Sequence, residues 1–360
     1  MATIEIRTVT LVYPDGTRAM EDISLAMPEG KVTAVLGPSG SGKTSMLRVI
    51  AGLLEPSSGQ VVVDGRDVTG LPLEKRNIGM VFQSYALFPN MTVEENVEFG
   101  LKVRRVPPAE RRARVGQVLD TVRIGPLAKK RIRQISGGEA QRVALARAIV
   151  YNPRILLMDE PLSALDAKIR EELRGELRQF LQEFGTTTVY VTHDQTEAMA
   201  LGDRVVVMNR GRVVQVGTPP EIYQNPANLF VATFIGHANL CPCEIASEEG
   251  GRYRFALPWG SFSAKAGEMR ASPPLGRRML MIRPEDLAIA THGAEAHCVV
   301  RVEEVLYLGN RLRVGARTES AERMLLDVEN TRRVEIGERV PVRLDLAKLH
   351  LLDPEPGPPA

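Results

Sequence analysis

The sequence predicts an α/β domain built on a mixed sheet, followed by a small all-β domain. A glycine-rich loop joins an apolar strand to a helical pattern over residues 31–52. Further apolar strands, 155–160 and 188–192, are separated by a charged helical pattern, an alternation typical of α/β domains. Beyond residue 235, short strands and turns replace the helical spacing. The 360 residues also fit two domains, since one domain takes roughly 150 residues.

The composition is that of an ordinary soluble protein, with 44% hydrophobic and 25% charged residues. A net charge of +2 argues against a strong electrostatic affinity for nucleic acid. No apolar run approaches the roughly 18 residues that span a bilayer, and the N-terminus lacks the apolar centre of a signal peptide, so we expect a cytosolic chain. The cysteines, including Cys241 and Cys243, fit neither the usual zinc spacing nor the two-residue redox spacing, and we expect reduced thiols.

Residues 37–44 fit the phosphate-loop pattern of Gly, four residues, Gly, Lys and then Ser or Thr. Glycines let the backbone curl round a triphosphate so that successive N–H groups point inward, and the following helix adds its partly positive N-terminus. Lys43 supplies a positive charge to the β- and γ-phosphates, and the Thr44 hydroxyl is placed to bind Mg²⁺. The candidate nucleotide-binding residues of the loop are Gly37, Pro38, Ser39, Gly40, Ser41, Gly42, Lys43, Thr44 and Ser45.

The N-terminal segments 3–13 and 23–27 alternate apolar and polar side chains around a Pro-Asp-Gly turn. This pattern predicts a hairpin-rich antiparallel edge that leads into the strand before the phosphate loop. Tyr13 lies beside the turn as an exposed aromatic residue. It either stacks on the base of a nucleotide or is an ordinary edge residue.

A helical subdomain is predicted to be inserted in the sheet at about 88–150. Residues 61–63 and 78–83 have the pattern of short strands, and the second ends in Gln83. The following stretch is rich in Glu, Arg and Lys with helical apolar spacing. Its basic clusters alternate with acidic and apolar residues, which favours a solvated face over nucleic-acid binding.

A second glycine-containing element, Ile-Ser-Gly-Gly-Glu at 135–139, precedes another helical pattern. It is a second candidate anion site at a helix N-terminus. The alternative is a simple helix cap formed by Ser136, although two adjacent glycines exceed what capping requires.

Acidic residues and a histidine follow two of the buried strands. Asp159 and Glu160 end the apolar strand 155–160, and His193 follows the strand 188–192. Parallel sheets bind ligands at the carboxyl ends of their strands, where Asp159 can hold Mg²⁺ and Glu160 can accept a proton from an attacking water. Alone, His193 would more often be structural, but it converges on the same sheet edge.

The last third of the chain is rich in short strands, turns, Pro, Gly and Arg. It predicts an all-β domain, a barrel or a sandwich, over residues 236–352. Residues 353–360, DPEPGPPA, are expected to form a disordered tail.

The order of these motifs resembles that of the ATP-binding subunits of ABC transporters over roughly residues 4–235. The segments that carry the resemblance are GPSGSGKT, Gln83, ISGGE, ILLMDE, SALD and His193. The resemblance implies that ATP is the nucleotide and that residues 1–235 form the ATPase domain. It implies a Walker A loop at 37–44, with Asp159 as the Walker B magnesium residue and Glu160 as the catalytic glutamate.

Other roles rest on the same resemblance. Tyr13 is similar to the aromatic residue that stacks on adenine, and His193 to the switch histidine that contacts the γ-phosphate. Gln83 resembles the glutamine that joins the metal and the attacking water to the helical subdomain. The implied cofactors are therefore ATP and Mg²⁺.

The resemblance also implies a head-to-tail dimer with a second copy of the chain, in which two ATP molecules lie between the subunits. The signature element that binds the partner's ATP is Ser136, Gly137, Gly138 and Glu139. Asp166 resembles the aspartate that crosses this interface. The commoner signature has Gln where this chain has Glu139, and the added negative charge could weaken closure unless an arginine such as Arg142 offsets it.

The second half resembles the OB-fold-like (TOBE-like) regulatory domain of importer ATPases, through MIRPEDL and VEEVLYLGN. FVATFIGHANL is similar to polyamine and ferric-iron importers more than to sugar importers. The resemblance implies transmembrane permease subunits that meet residues 84–90, an extracytoplasmic solute-binding protein, and a position at the cytoplasmic face of the membrane. Phe88 is either a permease contact or a core residue.

The sequence therefore predicts an ATP-hydrolysing importer subunit whose solute is a polyamine, ferric iron or a related small solute, with a sugar importer as the alternative. A soluble ABC ATPase for DNA repair would carry long coiled coils between phosphate loop and signature, where this chain has about ninety residues without sustained heptads. A translation-type ABC protein needs two cassettes. A P-loop kinase would need neither the signature nor His193.

Overall fold

The computed structural model describes residues 2–163, 165–269, 272–290 and 296–354. The chain forms two compact units, Met1–Pro219 and Pro220–Ala360. In the first unit, the helices are α1 (Lys43–Ala51), α2 (Val93–Val103), α3 (Pro108–Thr121), α4 (Gly137–Ile149), α5 (Ala167–Phe184) and α6 (Gln195–Leu201). Its strands are β1 (Ile4–Val12), β2 (Arg18–Met27), β3 (Val32–Leu36), β4 (Ser58–Val63), β5 (Arg66–Asp67), β6 (Ile78–Val81), β7 (Ile155–Asp159), β8 (Thr187–Thr192), β9 (Arg204–Asn209) and β10 (Arg212–Gly217).

The main sheet of the first unit is mixed, with the order β10-β9-β3-β8-β7-β6. The five strands from β9 to β6 are parallel, and β10 pairs antiparallel at the edge. Every residue of β3, β7 and β8 is buried, because helices cover both faces of a parallel sheet. The carboxyl ends of β3, β6, β7 and β8 therefore share one edge, and the predicted mixed α/β sheet is confirmed.

The alternation of residues 3–27 predicts that the N-terminal hairpin forms an edge of this sheet. The structure places it elsewhere. β1 and β2 instead join β4 and β5 in a separate antiparallel sheet of order β2-β1-β4-β5. The reason is that β3 has both of its edges occupied, by β8 and β9. The hairpin buries its apolar face, which includes Ile4, Ile6 and Met20, on the core around α1.

Helices α2, α3 and α4 occupy the region expected to be helical and pack on one core. Thr92 and Glu95 form a reciprocal capping box at the start of α2. Pro108 begins α3 at the first helical position, where its missing N–H costs nothing. None of the helices among the described residues is long and apolar enough to cross a membrane.

The second unit begins with short helices, which were not predicted, and continues as the predicted all-β body. Its helical segments are α7 (Pro219–Gln224) and α8 (Leu229–Phe234). Its strands are β11 (Asn239–Glu248), β12 (Arg252–Leu257), β13 (Gly260–Lys265), β14 (Gly276–Ile282), β15 (Leu287–Ile289), β16 (Cys298–Tyr307), β17 (Arg311–Thr318), β18 (Arg323–Glu329), β19 (Arg339–Leu344) and β20 (His350–Leu352). They form two five-stranded sheets, β13-β12-β11-β14-β20 and β15-β19-β16-β17-β18, around one apolar core.

The compact units divide earlier than residue 235 because Arg283 ties the preceding segment to the second unit. Its buried guanidinium donates hydrogen bonds to the carbonyls of Tyr223, Ala232 and His237. All three cysteines are buried and unpaired in this unit, and burial raises the pKa of Cys243 to about 11. Most of the expected tail, from residue 355 on, lies outside the described residues.

Candidate active site

The loop between β3 and α1 is shaped by its glycines. Gly42 has φ +98°, and a Cβ there would lie 2.2 Å from the carbonyl oxygen of Ala19. Gly40 has φ +77°, the left-handed region that glycine adopts without strain. The backbone can therefore turn sharply and bring its N–H groups to the start of α1, where an anion is favoured.

Lys43 lies inside this loop, and its side chain is 6% exposed. Its Nζ donates hydrogen bonds to the carbonyl oxygens of Gly37 and Pro38, at 2.8 and 2.9 Å. Burial lowers the pKa of Lys43, while the nearby carboxylates of Glu160 and Asp159 raise it in part. A buried ammonium beside the loop can exchange these carbonyls for phosphate oxygens at little cost in solvation.

Thr44 and Asp159 bring two oxygen ligands together across the loop and the end of β7. The Thr44 hydroxyl donates to Asp159 Oδ1 at 3.1 Å, and Asp159 is 7% exposed. Burial raises the pKa of Asp159, and the Thr44 hydrogen bond partly opposes this. A buried carboxylate beside a hydroxyl fits Mg²⁺, which binds through one or two protein oxygens together with phosphate oxygens.

Glu160, the residue after β7, contacts two other polar side chains through its carboxylate. Its Oε2 lies 3.0 Å from His193 Nδ1 and accepts a hydrogen bond from Gln83 Nε2 at 3.3 Å. Its backbone has φ +46°, an unfavourable value for a residue with a side chain. The Glu160 N–H donates to the carbonyl of Val191 at 2.9 Å, which holds this conformation. The structure thus brings Gln83, Glu160 and His193 together.

Ser163 belongs to the same cluster and was missed by sequence reasoning. Its hydroxyl donates to the Glu160 carbonyl at 2.8 Å and accepts from Gln83 Nε2 at 3.3 Å. The only sequence signal was its place three residues after Glu160, which puts it in the same turn.

A buried hydrogen-bond network lies beside the strand end that precedes His193. Glu197 on α6 is 2% exposed, and its Oε2 accepts hydrogen bonds from the hydroxyls of Tyr190 and Thr192, each at 2.8 Å. Burial raises the pKa of Glu197. Thr192 immediately precedes His193, so the network fixes the end of β8 against α6. Nothing in the local sequence marked Glu197, because its partners lie on the preceding strand.

Tyr13 is half-buried and packs against the core of the first unit, so the expectation of an exposed aromatic residue was wrong. Its hydroxyl lies 3.0 Å from Ser45 Oγ. The ring is held beside α1 because the turn at residues 14–17 folds back on β1, with the Tyr13 N–H bonded to the Thr17 carbonyl.

Ser136 and Glu139 form a reciprocal capping box at the start of α4. Ser136 Oγ accepts from the Glu139 N–H at 3.3 Å, and Glu139 Oε2 accepts from the Ser136 N–H at 2.6 Å. These bonds to Ser136 lower the pKa of Glu139. Arg142 forms no ion pair with Glu139, since its guanidinium donates to the Val122 carbonyl and pairs with Glu176. Its charge nevertheless contributes to lowering the pKa of Glu139.

Close packing explains the two glycines of this element. A Cβ on Gly137 would lie 3.0 Å from Leu165, and one on Gly138 would lie 3.2 Å from Leu173. Asp166 caps α5, where its Oδ1 accepts from the Ile169 N–H at 3.0 Å. Asp166 is exposed.

The segment 84–90 is held by two side chains from outside it. Arg147 on α4 donates to the carbonyls of Tyr85 and Ala86, each at 2.6 Å. Asn96, which is fully buried, pairs with both backbone groups of Phe88. The half-buried Phe88 ring lies 4.6 Å from the ring of Phe99, so it is neither a full core residue nor a free one.

The fold and the loop around Lys43 define a P-loop nucleotide-binding protein, and comparisons with known proteins narrow this class. The family profile described as ABC transporter matches residues 20–163, and that of the TOBE domain matches residues 280–352. The chain is 42% identical over 338 residues to the Fe(3+) ions import ATP-binding protein FbpC of Escherichia coli strain K12, covering 93% of each chain. Two further relatives are the sulfate/thiosulfate import ATP-binding protein CysA of Synechocystis (43% identity; 87% of this chain, 84% of the relative) and the spermidine/putrescine import ATP-binding protein PotA of Thermobifida fusca (46%; 88% and 83%).

A similar solved structure is the ATP-binding cassette MJ0796 in a dimeric post-hydrolysis state bound to ADP and Pi. It has a TM-score of 0.54 and 35% identity, and the match covers 60% of this chain and 98% of that one. The chain belongs to the ABC transporter family as an ATP-binding subunit of the importer type with a C-terminal TOBE domain. It is an ATPase, and the predicted family is confirmed.

Proposed function

We propose that this chain hydrolyses ATP with Mg²⁺ to drive the import of a solute through separate membrane subunits. The observation that carries the proposal is the convergence of six polar side chains at the carboxyl edge of one sheet. They are Lys43, Thr44, Gln83, Asp159, Glu160 and His193. This edge is where α/β sheets bind nucleotides.

The residues of one chain that bind the nucleotide have distinct roles. Residues 37–45 wrap the phosphates, and Lys43 moves its ammonium from the loop carbonyls to the β- and γ-phosphate oxygens. Thr44 and Asp159 hold Mg²⁺, with Gln83 as a further ligand. When bound, the metal neutralises charge on the phosphate oxygens. Tyr13 stacks on the adenine, and its bond to Ser45 keeps the ring beside the loop.

Glu160 is the base in this mechanism. Its carboxylate takes the proton of the attacking water while the oxygen of that water forms a bond to the γ-phosphorus, and the bond to the leaving ADP oxygen breaks. Gln83 and His193 hold the carboxylate through Oε2. His193, whose side chain is 57% exposed, is free to reach the γ-phosphate and stabilise its charge.

The second half of each site comes from another copy of the chain. The N-terminus of α4, with Ser136, Gly137, Gly138 and Glu139, binds the γ-phosphate of ATP held by the partner. Asp166 crosses between the copies, and its exposure at the start of α5 supports this. The dimeric relative with bound ADP and Pi supports the same arrangement.

The remaining partners are proposed from the relatives and from the 84–90 segment. Permease subunits contact this segment at Phe88, which places the chain at the cytoplasmic face of the membrane. An extracytoplasmic solute-binding protein delivers a polyamine, ferric iron or a related small solute, because relatives import spermidine, Fe(3+) and sulfate. Residues 1–235 serve as the ATPase domain, with a helical subdomain at about 88–150, and 236–352 as the regulatory domain.

The test of the catalytic proposal is Glu160→Gln. We expect the variant to bind ATP, to accumulate as a dimer in size-exclusion chromatography with ATP, and to lose turnover by roughly 10²–10⁴-fold, the usual contribution of a general base. Glu171→Gln, on an exposed side chain of α5, is the matched control and should retain full activity. Turnover near wild type in Glu160→Gln would remove this residue from the role of base.

The test of the permease contact is Phe88→Glu in a reconstituted complex. Transport should fall while the ATPase activity of the isolated chain persists, because the ring is half-buried at the surface of the subdomain. Val103→Glu, on an exposed position of α2, controls for an added charge. If transport and soluble ATPase activity fall together, Phe88 is a core residue.

The solute is tested by adding loaded solute-binding proteins to the same complex. Stimulation of ATPase activity by the protein loaded with spermidine, ferric ion or sulfate would name the solute class. Stimulation by a sugar-loaded protein alone would favour the sugar-importer alternative. A chain that neither associates with a permease nor responds to any binding protein would contradict import.

A further inference from the structure

Four arginines form a row across the outer face of the sheet β15-β19-β16-β17-β18. The strand register places Arg301 directly opposite Arg339 on one side and Arg317 on the other, and Arg317 opposite Arg323. All four are exposed, while the residues next to them in their strands, such as Val300 and Val340, are buried. The row therefore runs straight across four neighbouring strands.

This arrangement is electrostatically unfavourable by itself. Directly opposed side chains in an antiparallel sheet have their Cβ atoms about 4.5–5.5 Å apart, and like charges at that distance repel each other. Ion pairs relieve three of the four members: Arg317 pairs with Glu303, Arg323 with Glu304, and Arg339 with Glu319. These pairs are largely exposed to solvent, where an ion pair contributes little.

Arg301, one of the two inner members of the row, has no such ion pair, although its charge contributes to lowering the pKa of Glu303. Its side chain makes no ion pair or hydrogen bond with any residue that the structure describes. It has a guanidinium on each side and hydrogen-bond donors that no protein group accepts. A guanidinium in this position matches the planar, forked recognition of oxyanions.

The row also has the shape of a binding site. Arg301, Arg317 and Arg339 line a cavity of about 370 Å³ together with Thr318 and Gly337. Gly337 has φ +90° and no atom within 4 Å of a Cβ placed on it, so the wall of the cavity is open backbone at that point. Glu319 is the one carboxylate among the lining residues, and it is paired with Arg339.

We propose that the three members of this arginine row that line the cavity, Arg301, Arg317 and Arg339, bind a compact divalent oxyanion, sulfate or hydrogen phosphate, with Arg301 as its central ligand. Two negative charges on a small tetrahedral ion offset the repulsion within the row. An extended polyanion such as nucleic acid fits less well, because Glu303, Glu304 and Glu319 flank the arginines and would repel its further phosphates.

The experiment uses the full-length chain with Mg²⁺ and a saturating non-hydrolysable ATP analogue, so that the β- and γ-phosphate positions of the phosphate loop are both filled. Sodium sulfate and sodium phosphate are titrated separately by isothermal calorimetry and by thermal unfolding, against sodium chloride at equal ionic strength. We expect either oxyanion to raise the unfolding midpoint beyond the chloride effect, and the more effective one to be the ligand. Arg301→Gln should weaken binding at least ten-fold.

Arg343→Gln is the matched control, since Arg343 is exposed on the same strand as Arg339 but lies outside the row. It should bind the oxyanion as wild type does. Without oxyanion, Arg301→Gln should unfold at or above the wild-type midpoint, because it relieves the repulsion. Arg317→Gln provides a second variant and should also weaken binding.

Three results would overturn the proposal: no effect of sulfate or phosphate beyond that of chloride, equal loss of binding in Arg301→Gln and Arg343→Gln, or a lower midpoint for Arg301→Gln without oxyanion. None of these readouts depends on ATP turnover. Failure of the oxyanion site and failure of the proposed ATPase mechanism are therefore separate outcomes.

Discussion

Arg147 is predicted to hold the segment that contacts the permease, and Arg147→Ala tests this. Its guanidinium donates to the carbonyls of Tyr85 and Ala86, each at 2.6 Å. Both of those residues have positive φ, +59° and +47°, a conformation that costs roughly 1–2 kcal/mol for a residue with a side chain. The two hydrogen bonds therefore support a backbone that would otherwise relax.

The magnitude follows from the surroundings of each bond. The bond to Tyr85 is partly buried, and a hydrogen bond to a charged group there contributes about 1.5–3 kcal/mol. The bond to Ala86 is exposed, so water replaces it and the net contribution is about 0.5–1 kcal/mol. Relaxation of the two backbone conformations recovers part of this, and we expect Arg147→Ala to lower the free energy of unfolding by about 2–3 kcal/mol.

For a unit of this size, 1 kcal/mol shifts the midpoint by about 2–4 °C, so the variant should unfold about 4–12 °C lower. Amide hydrogen exchange of residues 84–90 should accelerate more than that of α5. Transport in the reconstituted complex should fall further than soluble ATPase activity. Arg104→Ala is the control, since Arg104 stacks on Tyr151 in the same subdomain without touching this segment. Unchanged exchange at 84–90 together with an unfolding change below about 0.5 kcal/mol would refute the reasoning.

Two further substitutions test the electrostatics of the site. Glu139→Gln keeps an acceptor for the Ser136 N–H but removes a charge at an exposed helix N-terminus. The free energy of unfolding should therefore fall by less than about 1 kcal/mol. ATP-dependent dimerisation should improve, and weaker dimerisation would contradict the reasoning. Because the pKa of Glu139 is lowered from 4.5, the stabilisation by its carboxylate is present above that pH and is lost as the pH falls through the folded-state pKa. The free energies of unfolding in urea of the wild type and Glu139→Gln should therefore converge in acid. Glu197→Ala removes the acceptor of the Tyr190 and Thr192 hydroxyls and should lower kcat more than it changes KM, whereas Glu197→Gln should restore most of kcat. Equal kinetics for the two variants would exclude a positioning role for the acceptor.

Much of the ATPase site could be predicted from sequence because its chemistry is local. A strand, a glycine loop and a helix must be consecutive to bind a phosphate, so residues 37–45 can be recognised from one short stretch of sequence. Asp159, Glu160 and His193 follow buried strands, and the parallel sheet brings such strand ends together. The N-terminal hairpin was misplaced because alternation predicts that one face is buried, but not which sheet the strands join.

The residues that sequence reasoning missed act on distant partners. Arg147 reaches carbonyls 61 and 62 residues away, and Arg142 pairs with Glu176 on another helix rather than with Glu139 three residues before it. A basic residue near an acidic one in sequence predicts a pair only when both lie on the same helical face and no better partner approaches. Glu139 instead completes the cap of its own helix, which a capping-box pattern of Ser followed three residues later by Glu does predict.

The arginine row shows the same dependence on the fold most directly. Arg301, Arg317 and Arg339 are aligned because Val300, Val302, Ala316 and Val340 pack into the core on the opposite face of the sheet. A slip of one residue in β17 would turn Arg317 inward and bury a charge, so the apolar face permits only one register. The core therefore determines which charges meet on the outer face. An anion site of this kind is specified by residues that never touch the ion, and no search for a motif of neighbouring arginines would have found it.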